Sequence, residues 1–128
     1  MSYSYIIDSS AWYDYLTGTE RGLKAKKIIE QEEIATSLIA ITELADKFER
    51  EGSKFEIMLL FIRRRAAILA ISEEIALMAA KLKNKARRIN NKFGISDGIH
   101  LATALQEGAV LLTSDRDFEG MEKILLLR

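Results

Sequence analysis

The amino-acid sequence predicts an α/β fold: a central, mainly parallel sheet of four to five strands, covered by helices on both faces. Three observations carry this prediction. Short apolar runs alternate along the chain with longer amphipathic ones. The apolar runs are continuous instead of alternating in polarity, as strands buried on both faces require. Serines and glycines punctuate the runs where helices start and stop. With 128 residues, 48% of them hydrophobic and 30% charged, the chain suits one globular domain over residues 1–128.

Tyr3 to Ile7, aromatic and β-branched, is the first strand, and Asp8 follows it with the helix starters Ser9 and Ser10. Ala11 to Leu16 is a helix stopped near Gly18. Arg21 to Gln31 is a second helix with Leu23, Ile28 and Ile29 on one side, and Glu33 to Thr36 a short strand. Ser37 opens a third helix to Glu51, with a core stripe of Leu38, Ile41, Ala45 and Phe48 and with Gly52 as its stop. Ser53 and Glu56 have capping-box spacing for an apolar helix that reaches Arg65. Ala67 to Ile71 is a strand, and Ser72 caps a long helix reaching Asn91. Gly94 breaks the chain, and Ser96 caps a helix through Gln106 that Gly108 closes. Ala109 to Thr113 and Ile124 to Leu127 are the last strands.

Composition removes several classes of function. With 0 cysteines, the chain has no disulfide framework, thiolate zinc site or cysteine nucleophile. MSYSYIIDSS lacks the basic and apolar parts of a leader, and the longest apolar run, Ile57 to Ile62, is too short to cross a bilayer, so a soluble, cytoplasmic protein is expected. Lys plus Arg and Asp plus Glu balance at 19 each, so any attraction to nucleic acid has to be local.

Four acids stand at structural junctions far apart in sequence: Asp8, Glu43, Asp97 and Asp115. In a parallel α/β sheet, ligands bind beyond the carboxyl ends of the strands. Asp8 directly follows the first strand, Asp115 follows the Ala109 to Thr113 strand after one serine, and Asp97 sits at a helix start. Carboxylates gathered there repel one another until a hard divalent cation such as Mg²⁺ or Mn²⁺ neutralises them. Each acid also has a purely structural alternative. Asp8 and Asp97 suit helix caps, Asp115 suits a turn, and the core stripe of its helix leaves Glu43 on the solvent side.

The strings Ile6-Ile7-Asp8-Ser9-Ser10, Thr42-Glu43-Leu44, Ser96-Asp97-Gly98-Ile99-His100-Leu101-Ala102-Thr103-Ala104 and Leu111-Leu112-Thr113-Ser114-Asp115-Arg116-Asp117-Phe118 occur in the order and spacing of a PIN domain. Over its whole length the chain resembles that family, and most of all its single-domain, VapC-like toxins of prokaryotic toxin-antitoxin pairs. The resemblance implies a three-layer α/β/α fold and a Mg²⁺- or Mn²⁺-dependent endoribonuclease. It also implies Asp8, Glu43, Asp97 and Asp115 as the catalytic, metal-holding acids. Ser10 matches the small hydroxyl residue that orients the first aspartate, Thr113 a threonine that braces Asp115, and Asp117 an acid of many relatives that is a candidate outer ligand. His100 falls where relatives carry varied residues and is expected to be a helix residue without catalytic duty.

A metal-activated water attacking in line needs no protein nucleophile and leaves a 5′-phosphate and a 3′-hydroxyl. Lys81, Lys83, Lys85, Arg87, Arg88 and Lys92 form an acid-free stretch with two readings: Lys81, Lys85, Arg87 and Arg88 touch RNA phosphates, or the stretch is the solvated face of a long helix. Arg63 to Arg65 suit a helix C-terminus better than a binding patch. The aromatic group Trp12, Tyr13 and Tyr15, with Phe55, Met58, Leu59, Phe61 and Ile62, exceeds what one helix face needs. The family implies a homodimer and a cognate antitoxin protein as users of that excess. A haloacid-dehalogenase-type phosphatase would need an acid where Ser10 stands, and a receiver domain would need paired acids and a late lysine. The alternatives within the fold are a non-catalytic PIN module for RNA binding or scaffolding, and a free-standing RNA-processing nuclease.

Overall fold

The computed structural model describes residues 2–128. Five strands, β1 (Tyr5–Ile7), β2 (Ile34–Ser37), β3 (Ala67–Leu69), β4 (Val110–Thr113) and β5 (Ile124–Leu126), form one sheet in the order β3-β2-β1-β4-β5. Every pairing is parallel. Six helices accompany them: α1 (Ser9–Thr17), α2 (Glu20–Gln31), α3 (Leu38–Arg50), α4 (Glu56–Arg65), α5 (Glu73–Ala86) and α6 (Ile95–Glu107).

The three-layer expectation holds, and the strand residues show why. Ile7, Ile34 and Leu112 face one core with Trp12, Ile29, Leu44 and Ile62 of α1 to α4, while Ile6, Ala35 and Leu111 face a second with Leu101 and Ala104 of α6. Strand neighbours therefore bury apolar side chains on opposite faces, which is why no polar alternation appears in the sequence. Strand order runs outward from β1 through β2 to β3 on one side and from β4 to β5 on the other. The order thus reverses between β1 and β4, where an open α/β sheet forms its crevice.

Several boundaries differ from the sequence expectation, each for a local reason. On α2 the buried residues are Gly22, Ala25 and Ile29, while Leu23 is 65% exposed. A Cβ on Gly22 would lie 2.0 Å from the Asp14 carbonyl oxygen, so α1 and α2 touch through a residue that hydropathy undervalues. The stripe on α3 is Ala40, Leu44 and Phe48, with Leu38 and Ala45 exposed. At 3.6 residues per turn, this is a rotation of roughly 80° from the expected stripe. Phe55, not a Ser53 and Glu56 capping box, begins α4, and Gly94, not Ser96, is the N-cap of α6. α5 stops at Ala86, and a turn-rich segment continues to Gly94. Ser37 and Ser72 cap α3 and α5 as expected, accepting from the amides of Ile39 and Ile75.

Trp12, Phe55 and Ile62 are core, whereas Ile57 and Leu60 of α4 lie in the open. Arg65 donates to the Glu32 carbonyl just before β2, so the arginine triplet sits at the amino edge of the sheet, opposite to Asp8 and Asp115. No helix of the described residues is long and apolar enough to cross a membrane.

Candidate active site

The carboxyl ends of β1 and β4 meet through an ordered relay of hydrogen bonds. Asp8 occupies the N-cap position of α1, but its side chain makes no capping bond and turns towards β4. The amides of Ser114 and Asp115 donate to the hydroxyls of Ser10 and Thr113, both at 3.0 Å. Those hydroxyls donate in turn to Asp8 Oδ2, at 2.9 and 2.5 Å. A carboxylate oxygen only accepts, so each hydroxyl turns its one proton towards Asp8 and meets the amide behind it with a lone pair. Asp8, only 3% exposed, is thereby held as an oriented carboxylate.

Its other oxygen, Oδ1, faces α3 and α6. Ser9 Oγ lies 3.2 Å from Asp8 Oδ1 and 3.0 Å from Glu43 Oε1. His100 Nε2 lies 3.2 Å from that same Asp8 oxygen and 2.6 Å from Glu43 Oε1. The rotated stripe of α3 carries Glu43 from the solvent side to the flank of the core, where Ser9 and His100 receive it. Asp8, Glu43 and His100 each present one ligand atom, all within 4.8 Å of one another.

Asp97 and Asp115 complete the acidic set through charge, and each also serves its own backbone. Asp97 accepts the Gly94 amide at 2.7 Å in the first turn of α6, and Asp115 accepts the Asp117 amide at 2.8 Å at the head of a 3₁₀ turn over Arg116–Phe118. Burial pushes Asp97 up to about 6, against the Gly94 hydrogen bond, with the Asp115 and Asp8 charges adding to the rise and His100 opposing it. Asp115 is raised by burial, against the Asp117 amide, with Asp117, Asp8 and Glu43 adding to it. Asp97 and Asp115 therefore each feel the Asp8 charge, and Asp115 also feels Glu43.

Gly98 is what lets α6 reach this position. A Cβ there would lie 2.5 Å from the Ala79 carbonyl oxygen, so α5 and α6 meet backbone to backbone, and Ala102 and Ala104 are fully buried behind the site face. Asp117 sits further out, where Asn90 Nδ2 donates to its Oδ1 at 3.2 Å and ties the turn after α5 to the acidic edge. Thr113 braces Asp8 with its hydroxyl and meets Asp115 only through the backbone amide. Lys81, Lys85, Arg87 and Arg88 are exposed, on α5 and the turn after it.

Two residues of the site were missed from sequence. Ser9 looks like a helix starter, yet its hydroxyl bridges Asp8 and Glu43. His100, expected to stand apart from the chemistry, is 1% exposed between two of the acids. The signal that could have found it was its spacing, three residues after Asp97 and so on the same helix face.

The residues present suit a hard divalent cation. Every acidic donor is an oxygen, Asp8 is pre-oriented, and the upward shifts of Asp97 and Asp115 include the mutual repulsion that a cation would relieve.

A family model, the PIN domain, matches residues 5–124. No curated protein matches the chain significantly. Among solved structures, a chain of a toxin-antitoxin complex from Klebsiella pneumoniae is similar with a TM-score of 0.79 at 22% identity, covering 98% of each chain. VapBC2 from Rickettsia felis, bound to a DNA fragment from its promoter, gives 0.72 at 18% identity over 95% of this chain and 96% of that one. VapC20 of Mycobacterium tuberculosis, a sarcin-ricin loop cleaving toxin, gives 0.67 at 16% identity over 92% of both. At these identities the likeness establishes a shared fold.

Proposed function

Because this chain belongs to the PIN domain family, we propose that it is a divalent-metal-dependent endoribonuclease, the toxin of a toxin-antitoxin pair. The observation that carries the proposal is the gathering of Asp8 and Glu43 with His100 beyond the β1/β4 switch point, with the Asp8 charge also raising Asp97 and Asp115. In this reading Asp8, Asp97, Asp115 and Glu43 hold Mg²⁺ or Mn²⁺, and Asp117 is an outer ligand. The bound ion supplies charge neutralisation at the phosphodiester and lowers the pKa of a water for in-line attack. Ser10 and Thr113 hold Asp8 in a fixed orientation by donating to Oδ2. A bound cation would draw the raised pKa values of Asp97 and Asp115 back down, since the charges that oppose ionisation would then be neutralised.

Lys81, Lys85, Arg87 and Arg88 contact RNA phosphates beside the site. The support is the Asn90 to Asp117 hydrogen bond, which anchors the basic turn to the acidic edge. The exposed apolar residues Ile57, Leu60 and Phe61 on α4 and Leu23 on α2 serve protein contacts, in a homodimer or with a cognate antitoxin. Similarity to chains from toxin-antitoxin complexes supports this pairing. The protein acts in the cytoplasm, where its RNA is.

The alternative, a non-catalytic PIN module that binds RNA or scaffolds, predicts lost acids, and all four are present. The test is incubation of RNA with the protein and Mn²⁺, with the product ends identified. The expected result is cleavage to 5′-phosphate and 3′-hydroxyl ends by the wild type and none by a folded Asp8→Asn variant. Cleavage by Asp8→Asn, or 2′,3′-cyclic phosphate ends, would contradict the proposal.

A further inference from the structure

His100 sits where a metal ligand could sit, but the atoms around its ring point to another role. Nε2 lies between Glu43 Oε1 at 2.6 Å and Asp8 Oδ1 at 3.2 Å, both hydrogen-bond acceptors. Nδ1 is buried and has no partner among the described residues. A histidine that ligates through Nε2 carries its proton on Nδ1 and donates it to a carboxylate, a carbonyl or water. Here that proton would be buried with no acceptor among the described residues, which disfavours this tautomer. With the proton on Nε2 instead, the ring donates to two carboxylates and leaves only a bare lone pair at Nδ1.

Resting on the metal-site reading above, we propose that His100 is a positioning residue whose Nε2–H clamps Glu43 to Asp8 and so brings Glu43 into the metal-holding set. Glu43 is where such a clamp matters. Its side chain is 34% exposed and comes from a helix flank, and its other contact is the single Ser9 hydroxyl. A free glutamate there would spend rotamer entropy to reach the metal. The His100 ring, packed on α6 one turn beyond Asp97, fixes the reach in advance.

The geometry makes the role testable by amide substitution. The glutamine amide nitrogen can reach the place of Nε2, whereas the shorter asparagine amide stands at the place of Nδ1. Mn²⁺ affinity is measured by EPR titration, with folding checked by circular dichroism, for His100→Gln, His100→Asn and His100→Leu, alone and with Glu43→Gln. His100→Gln is expected to keep Mn²⁺ affinity within about threefold. His100→Asn and His100→Leu are expected to lose roughly 10-fold or more, as removal of the partners that orient metal ligands does. That loss should shrink in the Glu43→Gln background, and the Mn²⁺ spin-echo spectrum of the wild type should show no directly bound nitrogen.

Equal loss in His100→Gln and His100→Asn, unchanged affinity in folded His100→Leu, or a nitrogen bound to Mn²⁺ would overturn the clamp while leaving the metal site standing. Failure of the wild type to bind Mn²⁺ at all would overturn the site and the clamp together.

Discussion

A buried carboxylate is tolerable only where donors surround it, and Asp8 meets them from Ser9, Ser10, Thr113 and His100. Replacing it by Asn would turn an acceptor into a donor facing other donors and would remove a metal-holding charge. Since each 1.4 kcal/mol is a tenfold factor, the several kcal/mol supplied by metal charge stabilisation correspond to a loss of cleavage of at least about 10²-fold. Asp97 gives a prediction of opposite sign for stability. Its folded pKa of about 6 stands above the ordinary aspartate value of 3.8, so in that window the folded state binds more protons than the unfolded one. Metal-free stability from this group therefore falls as pH rises from 3.8 through 6. In EDTA at about pH 7.5, above that window, Asp97→Asn should melt no lower than the wild type, and its advantage should shrink at about pH 5. Added Mn²⁺ should raise the wild-type Tm more at the higher pH than at the lower, where it competes with protons.

At the scale of elements, the site depends on how closely α6 approaches α5. Gly98→Ala would set a methyl carbon 2.5 Å from the Ala79 carbonyl oxygen, a backbone group that cannot swing aside. A destabilisation of about 1–3 kcal/mol in urea unfolding is expected, with weakened metal binding in the folded fraction because Asp97 and His100 ride on that helix. An unchanged unfolding midpoint would show that the helices separate without cost. The same backbone approach explains part of what the sequence left unreadable. Periodicity ranks residues by hydropathy, so it selects Leu23 on α2 and Leu38 on α3, whereas the faces that pack carry Gly22, Ala25 and Ala40. On α3 that ranking rotates Glu43 to the wrong side. Helix starts at Ser37 and Ser72 were legible because one side chain and one nearby amide decide them. The start of α4 at Phe55 makes no side-chain capping bond and left no such signal.

For the whole molecule, the parallel, doubly covered sheet was legible because continuous apolar strands have few other uses. Strand order was not, since nothing local to β4 says that it pairs with β1. Yet that pairing makes the site, as it sets the Thr113 hydroxyl against Asp8 across a sequence separation of 105 residues. Asp8 and Asp115 were legible as strand-end acids and Glu43 only through family resemblance; the spacing of His100 from Asp97 was legible, but its place between Asp8 and Glu43 emerged only once α3 and α6 were placed. Charge is also a property of the whole, and with 19 residues of each sign any attraction to RNA has to be local, which the proposal places at α5 and the turn after it. Replacing Arg87 and Arg88 by Ala should weaken RNA binding similarly across sequences. It should lower the slope of log affinity against log salt by about one for each phosphate left without its arginine, as read by fluorescence anisotropy. An unchanged slope would assign those arginines to solvent.

RNA cleavage by wild type and Asp97→Asn, measured side by side with Mn²⁺ and with EDTA, tests most directly whether Asp8, Glu43, Asp97 and Asp115 form a metal-dependent hydrolytic site. The predicted result is cleavage by the wild type with Mn²⁺ alone, with folded Asp97→Asn inactive in both conditions. Metal-dependent cleavage by Asp97→Asn at the wild-type rate, or wild-type cleavage that persists in EDTA, would contradict it.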